Sequence, residues 1–581
     1  MGAPLKWVDD WYRSVWAEIE PGLAPLEMHQ RVQDEILNAL YYEIYQRYGI
    51  ALSEVSLPMI AIPPIVALTA HTLGEIYEQI LSHSPTEKKT GGSYYTPVQL
   101  VDFAIENTVK VWTDGLPTVL DPACGGGFFL LAAYQELLDQ QGQLLTYLER
   151  EQILLNCIHG VDINPQAVTV TQLSLLLKLR ENQPEHPLPN LNQNICCGNA
   201  VISFPDHDFS WEKTFPQIFR SGGFNIIIGN PPYVDSEWMT RYLSGWRQYC
   251  TRHYKSATGN WDLFCIFIEK SLTLCRSNGL ISLVVPNKLA SADYAAGARS
   301  LLTTESQILT LQDYSQSTAF AAAVYPLVFV VRKRSTPLEH PDPGAPWAIA
   351  ATQPQSQLLT RLRTFPKLET IAQVNGAATV AEAYQIQALI QEGHPSDPLR
   401  VVNSGTIDRY CFLWGQKPMR YLGQSYLQPV IRAGEQLPPR RLQQAQQPKI
   451  IVSGMTQRLE CAIDQDGSFL AGKSTVIIYA SQTYDLRYLL GILNSRLISF
   501  YLTSYFGGNG LKGKYLRIGS PQLRQVPIAP TDDPSALIQR VDRRLMETEE
   551  AQSLDRQIDQ LVYQLYGLTD PEIQTIDEMF Q

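Results

Sequence analysis

Apolar positions in the first 90 residues recur at three- and four-residue spacing. The pattern is clearest in Arg31-Val-Gln-Asp-Glu-Ile-Leu-Asn-Ala-Leu-Tyr-Tyr-Glu-Ile-Tyr45 and in Leu73-Gly-Glu-Ile-Tyr-Glu-Gln-Ile-Leu81. That period puts one apolar face on each of two helices. The polar stretch from His83 to Ser93, with Gly91-Gly92, reads as a connecting loop. From Tyr94 to Arg334 short apolar runs bounded by Gly, Asn and Pro alternate with helical patterns. The runs are Thr118–Leu120, Cys157–Val161, Asn194–Cys196, Asn225–Ile228, Leu280–Val285 and Leu327–Val331. Such alternation predicts a mostly parallel α/β sheet covered on both faces, with ligands at the strand ends. The bridge His340-Pro-Asp-Pro-Gly-Ala-Pro346 reads as a linker.

One uncharged segment, Val55 to Gly74, approaches the length of a membrane span. Pro58, Pro63 and Pro64 interrupt it, so a buried, broken helical segment is expected and no membrane partner. Acids near the start (Asp9, Asp10) oppose a signal peptide, and nine cysteines without a CxxC pair oppose a disulfide framework or zinc ribbon. A cytoplasmic protein is the expectation. The histidines lack ligand spacing, so no metal is expected.

The net charge of −11 excludes a generic basic coat protein, but the charge is segregated. Residues 401–530 hold 15 Lys and Arg against 6 Asp and Glu, a net of +9, whereas residues 531–581 net −8. The basic block is the expected phosphate-facing surface.

Three strand ends carry the chemistry. In Val119-Leu-Asp-Pro-Ala-Cys-Gly-Gly-Gly-Phe128 a strand ends at Asp121 and three glycines lead into a helix. Glycines let backbone approach a ligand, and a helix N-terminus favours an anionic group. No phosphate-loop or dinucleotide fingerprint is present, and a carboxylate here suits an ammonium better than a pyrophosphate. In Gly160-Val-Asp-Ile-Asn-Pro165, Asp162 can accept both hydroxyls of a ribose; alone it would read as a helix N-cap. In Ile228-Gly-Asn-Pro-Pro-Tyr233 two prolines fix a turn, so Asn230 and the Pro231 carbonyl can hold two acceptors in a defined geometry. Trp246 and Trp261 read as packing residues.

Together these segments resemble the S-adenosylmethionine-dependent DNA amino-methyltransferases of the gamma class. Asp121-Pro122-Ala123 with Gly125 and Gly127, Asp162, Cys197-Gly-Asn199 and Asn230-Pro231-Pro232-Tyr233 resemble motifs I to IV. Gly92-Ser-Tyr-Tyr-Thr96-Pro97 resembles motif X, and Thr318-Ala-Phe320 resembles motif VIII. The resemblance implies a Rossmann-like α/β catalytic domain with a mostly parallel seven-stranded sheet over 91–335. It also implies an N-terminal helical segment (1–90), a mixed α/β target-recognition domain (336–530) and a C-terminal helical tail (531–581). The cofactor implied is S-adenosylmethionine, with Thr96, Asp121, Pro122, Ala123, Gly125, Gly127, Asp162 and Asn199 around it. Asn199 stands where the family often has Asp, and either side chain is expected to accept from the cofactor's adenine amino group.

The implied reaction is methylation of adenine N6 in a short sequence of double-stranded DNA, within a restriction-modification or phage-defence system. Asn230 and Pro231 would act on N6, Pro232 would fix the turn, and Tyr233 and Phe320 would hold a flipped base. The ring of Tyr233 is expected to matter more than its hydroxyl. Alternatives are an N4-cytosine methyltransferase, a protein-glutamine methyltransferase and a catalytically silent DNA-binding subunit. A partner restriction endonuclease or defence-system subunit stays open.

Overall fold

The apolar runs between residues 118 and 334 pair into one sheet in the computed structural model of the chain. The residues described are all except 1–5, 20–24, 51–67, 84–95, 143–144, 182–185, 203–208, 315–324, 349–352, 395–398, 433–435, 480, 482, 508–514, 548 and 581. They fall into two units, Met1–Pro346 and Trp347–Gln581. The sheet of the first comprises β1 (Val119–Asp121), β2 (Ile158–Asp162), β3 (Ile195–Cys197), β4 (Phe224–Gly229), β5 (Cys275–Pro286), β6 (Ser306–Asp313) and β7 (Pro326–Lys333). Their order is β3-β2-β1-β4-β5-β7-β6, parallel except for β7, which runs against both β5 and β6. The run-by-run reading passes over β6. As an edge strand it is exposed or half-buried at every position after Ser306 and shows no continuous buried run.

The chain leaves β1 for β2 and β3 on one side and returns to β4 on the other. This is a topological switch point, and a crevice opens beyond the carboxyl ends of β1 and β4. Those ends are Asp121 and Gly229, the latter immediately before Asn230.

The helices are α1 (Lys6–Glu18), α2 (Pro25–Tyr48), α3 (Ala70–Leu81), α4 (Val98–Glu106), α5 (Phe128–Gln141), α6 (Tyr147–Cys157) and α7 (Pro165–Arg180), followed by shorter ones. Both helices read from the sequence are present and longer than the reading. The side chain of Thr69 caps α3 by accepting from Thr72 N. Buried Leu73, Ile76 and Ile80 of α3 join Leu130 of α5, Leu173 of α7 and Ile226 of β4 in one apolar cluster. The N-terminal helices therefore share a core with the sheet. Most of the proline-interrupted stretch from Val55, and the loop after His83, lie outside the described residues. Among the described residues no helix is long and apolar enough to cross a membrane. The Pro-rich bridge is tied to the first unit: buried Arg299 donates from Nε to the carbonyls of Gly344 and Ala345 (both 2.9 Å).

The second unit holds two four-stranded sheets. One orders Phe469–Ala471, Leu399–Val402, Pro429–Ile431 and Gln391–Glu392; the other orders Cys461–Asp464, Lys449–Ser453, Thr475–Tyr479 and Gln373–Gly376. Helices Leu486–Leu493 and Arg496–Phe506 share a core with the C-terminal helices Ser535–Met546 and Ala551–Leu565, through Leu489, Leu493, Val541, Ile558 and Val562.

This packing corrects the expectation of a basic phosphate-facing block. Arg409 pairs with Asp555 (2.6 Å), Arg458 with Asp559 (3.7 Å), Arg487 with Asp542 (2.9 Å), and Arg496 with Asp559 (3.5 Å) and Asp577 (2.8 Å). Part of the +9 segment is thus matched to part of the −8 segment in one internal network. Lys449 pairs with Asp464 inside the sheet, and Arg441 with Glu382 (2.8 Å). Lys417, Arg420, Arg432, Arg440, Lys473 and Arg517 are exposed and in no ion pair among the described residues. They are what remains of the basic face.

Candidate active site

At the end of β1 the Asp121 side chain is 1% exposed, and its Oδ1 accepts from Ala123 N (3.0 Å). Burial pushes its pKa up to about 8; the Ala123 hydrogen bond pulls down, and the nearby Asp162 charge pushes up. The glycine turn follows, with Gly125 at φ +50° and Gly127 at φ +84°, left-handed values that favour glycine. A side chain at Gly127 would also press on Thr171, whose hydroxyl donates to the Gly125 carbonyl (2.9 Å). Across the switch point, a Cβ on Gly229 (φ +154°) would lie 2.5 Å from Asp121 Oδ1. The glycine ahead of Asn230 therefore makes room for the carboxylate of β1.

Asp162 accepts from Gly125 N (Oδ2, 2.9 Å) and Asn164 N (Oδ1, 2.8 Å). The N-cap of α7 is Asn164, so Asp162 is not spent on capping. Burial raises its pKa against the pull of these backbone donors. Beyond β3, Asn199 Oδ1 accepts from both Val201 N and Ile202 N (3.0 Å each). This corrects the expected role of the amide. Both lone pairs of Oδ1 are used, and the group left over is an NH2, a donor. Asn199 can donate to a ring nitrogen of an adenine, whereas an Asp there would keep an acceptor oxygen for the amino group.

In the Asn-Pro-Pro-Tyr turn, Asn230 Nδ2 donates to Thr96 Oγ1 (3.0 Å) and the Tyr233 hydroxyl donates to Asn230 Oδ1 (2.7 Å). The Val284 carbonyl of β5 lies 3.1 Å from the same hydroxyl. The amide is thus held from both sides. The tyrosine hydroxyl has a positioning role that the emphasis on its ring leaves out.

These strand ends border one pocket of about 310 Å³. Of the residues singled out from sequence, Thr96, Asp121, Pro122, Ala123, Gly125, Asp162, Asn199, Asn230 and Pro232 line it. Gly127, Pro231 and Tyr233 are not among its lining residues, and Phe320 lies outside the described residues. Sequence reasoning missed Tyr77 and Glu78 on α3, together with Leu263 and Phe267. Trp246 corrects its reading as packing alone, since it borders the pocket; Trp261 is buried. The available signal for α3 was a glutamate on an otherwise apolar helix face. Among the described residues three carboxylates and no Lys, Arg or His line the pocket.

Residues 156–320 match the family model of the Eco57I restriction-modification methylase, and residues 399–528 that of the TaqI-like C-terminal specificity domain. The type II restriction enzyme and methyltransferase RM.Eco57I of Escherichia coli is 26% identical over 296 residues, covering 43% of this chain and 30% of that protein. The type II methyltransferase M.BstVI of Geobacillus stearothermophilus is 22% identical over 584 residues, covering 84% of this chain and 98% of that one. The chain therefore spans less than a third of the first relative and nearly all of the second. The type IIL restriction-modification enzyme MmeI, solved in complex with DNA, shares the fold: TM-score 0.58 at 13% identity, over 99% of this chain and 97% of that one.

The chain thus carries one segment similar to a restriction-modification methylase and another similar to a TaqI-like specificity domain, and the cofactor of such methylases is S-adenosylmethionine. The pocket fits it. Its sulfonium and ammonium outweigh its carboxylate, matching a wall whose described charged residues are all acids, and the glycine turn admits close approach. Among the described residues no cluster of His, Cys, Asp and Glu could hold a metal ion.

Proposed function

We propose that this chain is a site-specific DNA methyltransferase acting on N6 of an adenine turned out of the duplex. The observation that carries the reading is the Asn230 amide, held by Thr96 and Tyr233 at the edge of the pocket that Asp121 and Asp162 also line. Bound S-adenosylmethionine supplies an electrophilic methyl group. Asp121 and the Gly125–Gly127 turn hold its methionyl end, Asp162 its ribose, and the Asn199 amide its adenine as a donor.

Adenine N6 is a poor nucleophile because its lone pair is delocalised into the ring. Asn230 Oδ1 and the Pro231 carbonyl, accepting its two N–H bonds, localise that pair towards the methyl group. Both are neutral acceptors in a turn stiffened by Pro231 and Pro232, so little reorganisation accompanies the reaction. No strong base is needed, because the proton can leave after transfer. Tyr233 and Phe320 provide the aromatic surface for the base. Residues 399–528 carry target recognition in this reading, and the exposed Lys417, Arg420, Arg432 and Arg440 make its phosphate contacts.

The test is methylation-sensitive sequencing of DNA from cells making the wild-type chain or Asn230→Ala. One methylated adenine motif present only with the wild type is expected. A cytosine mark, or no mark in either, rejects the adenine assignment.

A further inference from the structure

Glu78 is the pocket residue that the strand-end motifs do not account for. It sits on α3 four residues after Gly74, and Gly74, Tyr77, Glu78 and Leu81 share one helix face. A Cβ on Gly74 would lie 2.7 Å from the Gly126 carbonyl, so the helix backbone rests directly against the glycine turn. One helical turn later the same face brings Tyr77, Glu78 and Leu81 to the pocket wall. There the Glu78 carboxylate accepts from the backbone N–H of Thr96, whose hydroxyl accepts from Asn230. Its Oε2 is buried and has no hydrogen-bond partner among the described residues.

A buried carboxylate with one oxygen unmatched is costly unless a ligand supplies the partner. Among the described residues no Lys, Arg or His lines the pocket to do so. The sulfonium of the cofactor has no hydrogen to donate, and its carboxylate would be repelled. The group that matches a lone acceptor oxygen is the α-ammonium, a charged donor. We infer that Glu78 binds the α-ammonium of S-adenosylmethionine through Oε2, and that Gly74 lets α3 come close enough for it to do so. The inference rests on the proposed cofactor mode, in which Asp162 and Asn199 take the ribose and adenine. Burial raises the Glu78 pKa to about 8 without ligand, as expected of a carboxylate awaiting its counter-ion.

The experiment is calorimetric titration of the full-length protein and of Glu78→Gln with three probes. S-adenosylmethionine and S-adenosylhomocysteine both carry the ammonium; 5′-methylthioadenosine keeps adenine and ribose but lacks the amino-acid moiety. Glutamine still accepts from Thr96 N–H, and 5′-methylthioadenosine reports whether the pocket remains formed. The variant is expected to bind both ammonium-bearing probes roughly tenfold to a hundredfold more weakly and 5′-methylthioadenosine unchanged. Unchanged affinity for all three overturns the inference, and so does an equal loss for all three, which makes Glu78 structural. If the wild-type protein binds none of them, the cofactor reading falls and takes the inference with it.

Discussion

In the unit ending at Pro346, Glu78, Asp121 and Asp162 border one pocket with no cation among its described lining residues. In the unit from Trp347, Asp464 faces Lys449, Asp555 faces Arg409 and Arg544, and Asp559 faces Arg458 and Arg496. Both units bury carboxylates, but among the described residues these three acids of the first unit face no cation at the pocket, whereas those of the second are matched by Lys and Arg of their own unit. A buried acid with its partner in place is architecture: it fixes where helices Ser535–Met546 and Ala551–Leu565 rest. A buried acid without one is a site, because its partner must come from a ligand.

This contrast makes substitutions in the two units opposite in sign. The largest expected effect is in the second unit. Lys449 and Asp464 are 1% and 2% exposed, and the lysine also donates to the Ala445 carbonyl (2.6 Å). Lys449→Met leaves Asp464 charged and unpaired, and should cost roughly 3–5 kcal/mol in urea unfolding. A loss below about 1 kcal/mol would show that the pair is not holding the sheet.

In the first unit, removing a charge should stabilise. The folded-state pKa of Asp121 lies near 8, above its ordinary 3.8, so the folded chain binds the proton more tightly. The associated stability is whole below pH about 4 and lost as pH rises through about 8. Asp121→Asn keeps the acceptor for Ala123 N and has no charge to bury. At pH 9 the cofactor-free variant should therefore melt above the wild type, with the difference vanishing near pH 4. A variant melting below the wild type at pH 9 would break the comparison, since Asp121 would then be compensated within the chain.

The smallest expected effect is at Tyr233. Tyr233→Phe keeps the ring but removes the hydrogen bond to Asn230 Oδ1, so methyl transfer should slow by about fivefold, or ~1 kcal/mol. Steady-state rates with unchanged cofactor affinity would show it; a full-rate variant would make the hydroxyl dispensable.

The strand-end chemistry was legible because Asp121, Asp162 and Asn230 each sit in a short local segment whose glycines and prolines already state the backbone geometry. Glu78 was not, because on α3 it reads as one polar position of an amphipathic helix. Its burial comes from Gly74 meeting Gly126, a contact across 52 residues. The basic block was misread for a related reason: local net charge counts Arg409 and Arg496 without Asp555 and Asp577, which only folding brings to them. Strand β6 escaped because an edge strand hides half of its apolar pattern. Asn199 shows the finest limit: whether its oxygen or its nitrogen serves a ligand depends on the turn to Val201 and Ile202.

The most direct measurement is single-turnover transfer of a labelled methyl group from S-adenosylmethionine to DNA by Asn230→Ala, with cofactor affinity measured in parallel. In the proposed reaction Asn230 acts on the base and not on the methionyl group. The rate should therefore fall by about 10²–10³, or roughly 2.7–4 kcal/mol, at nearly unchanged cofactor affinity. Transfer at the wild-type rate would make Asn-Pro-Pro-Tyr only a structural turn and contradict the assignment of this pocket to DNA methylation.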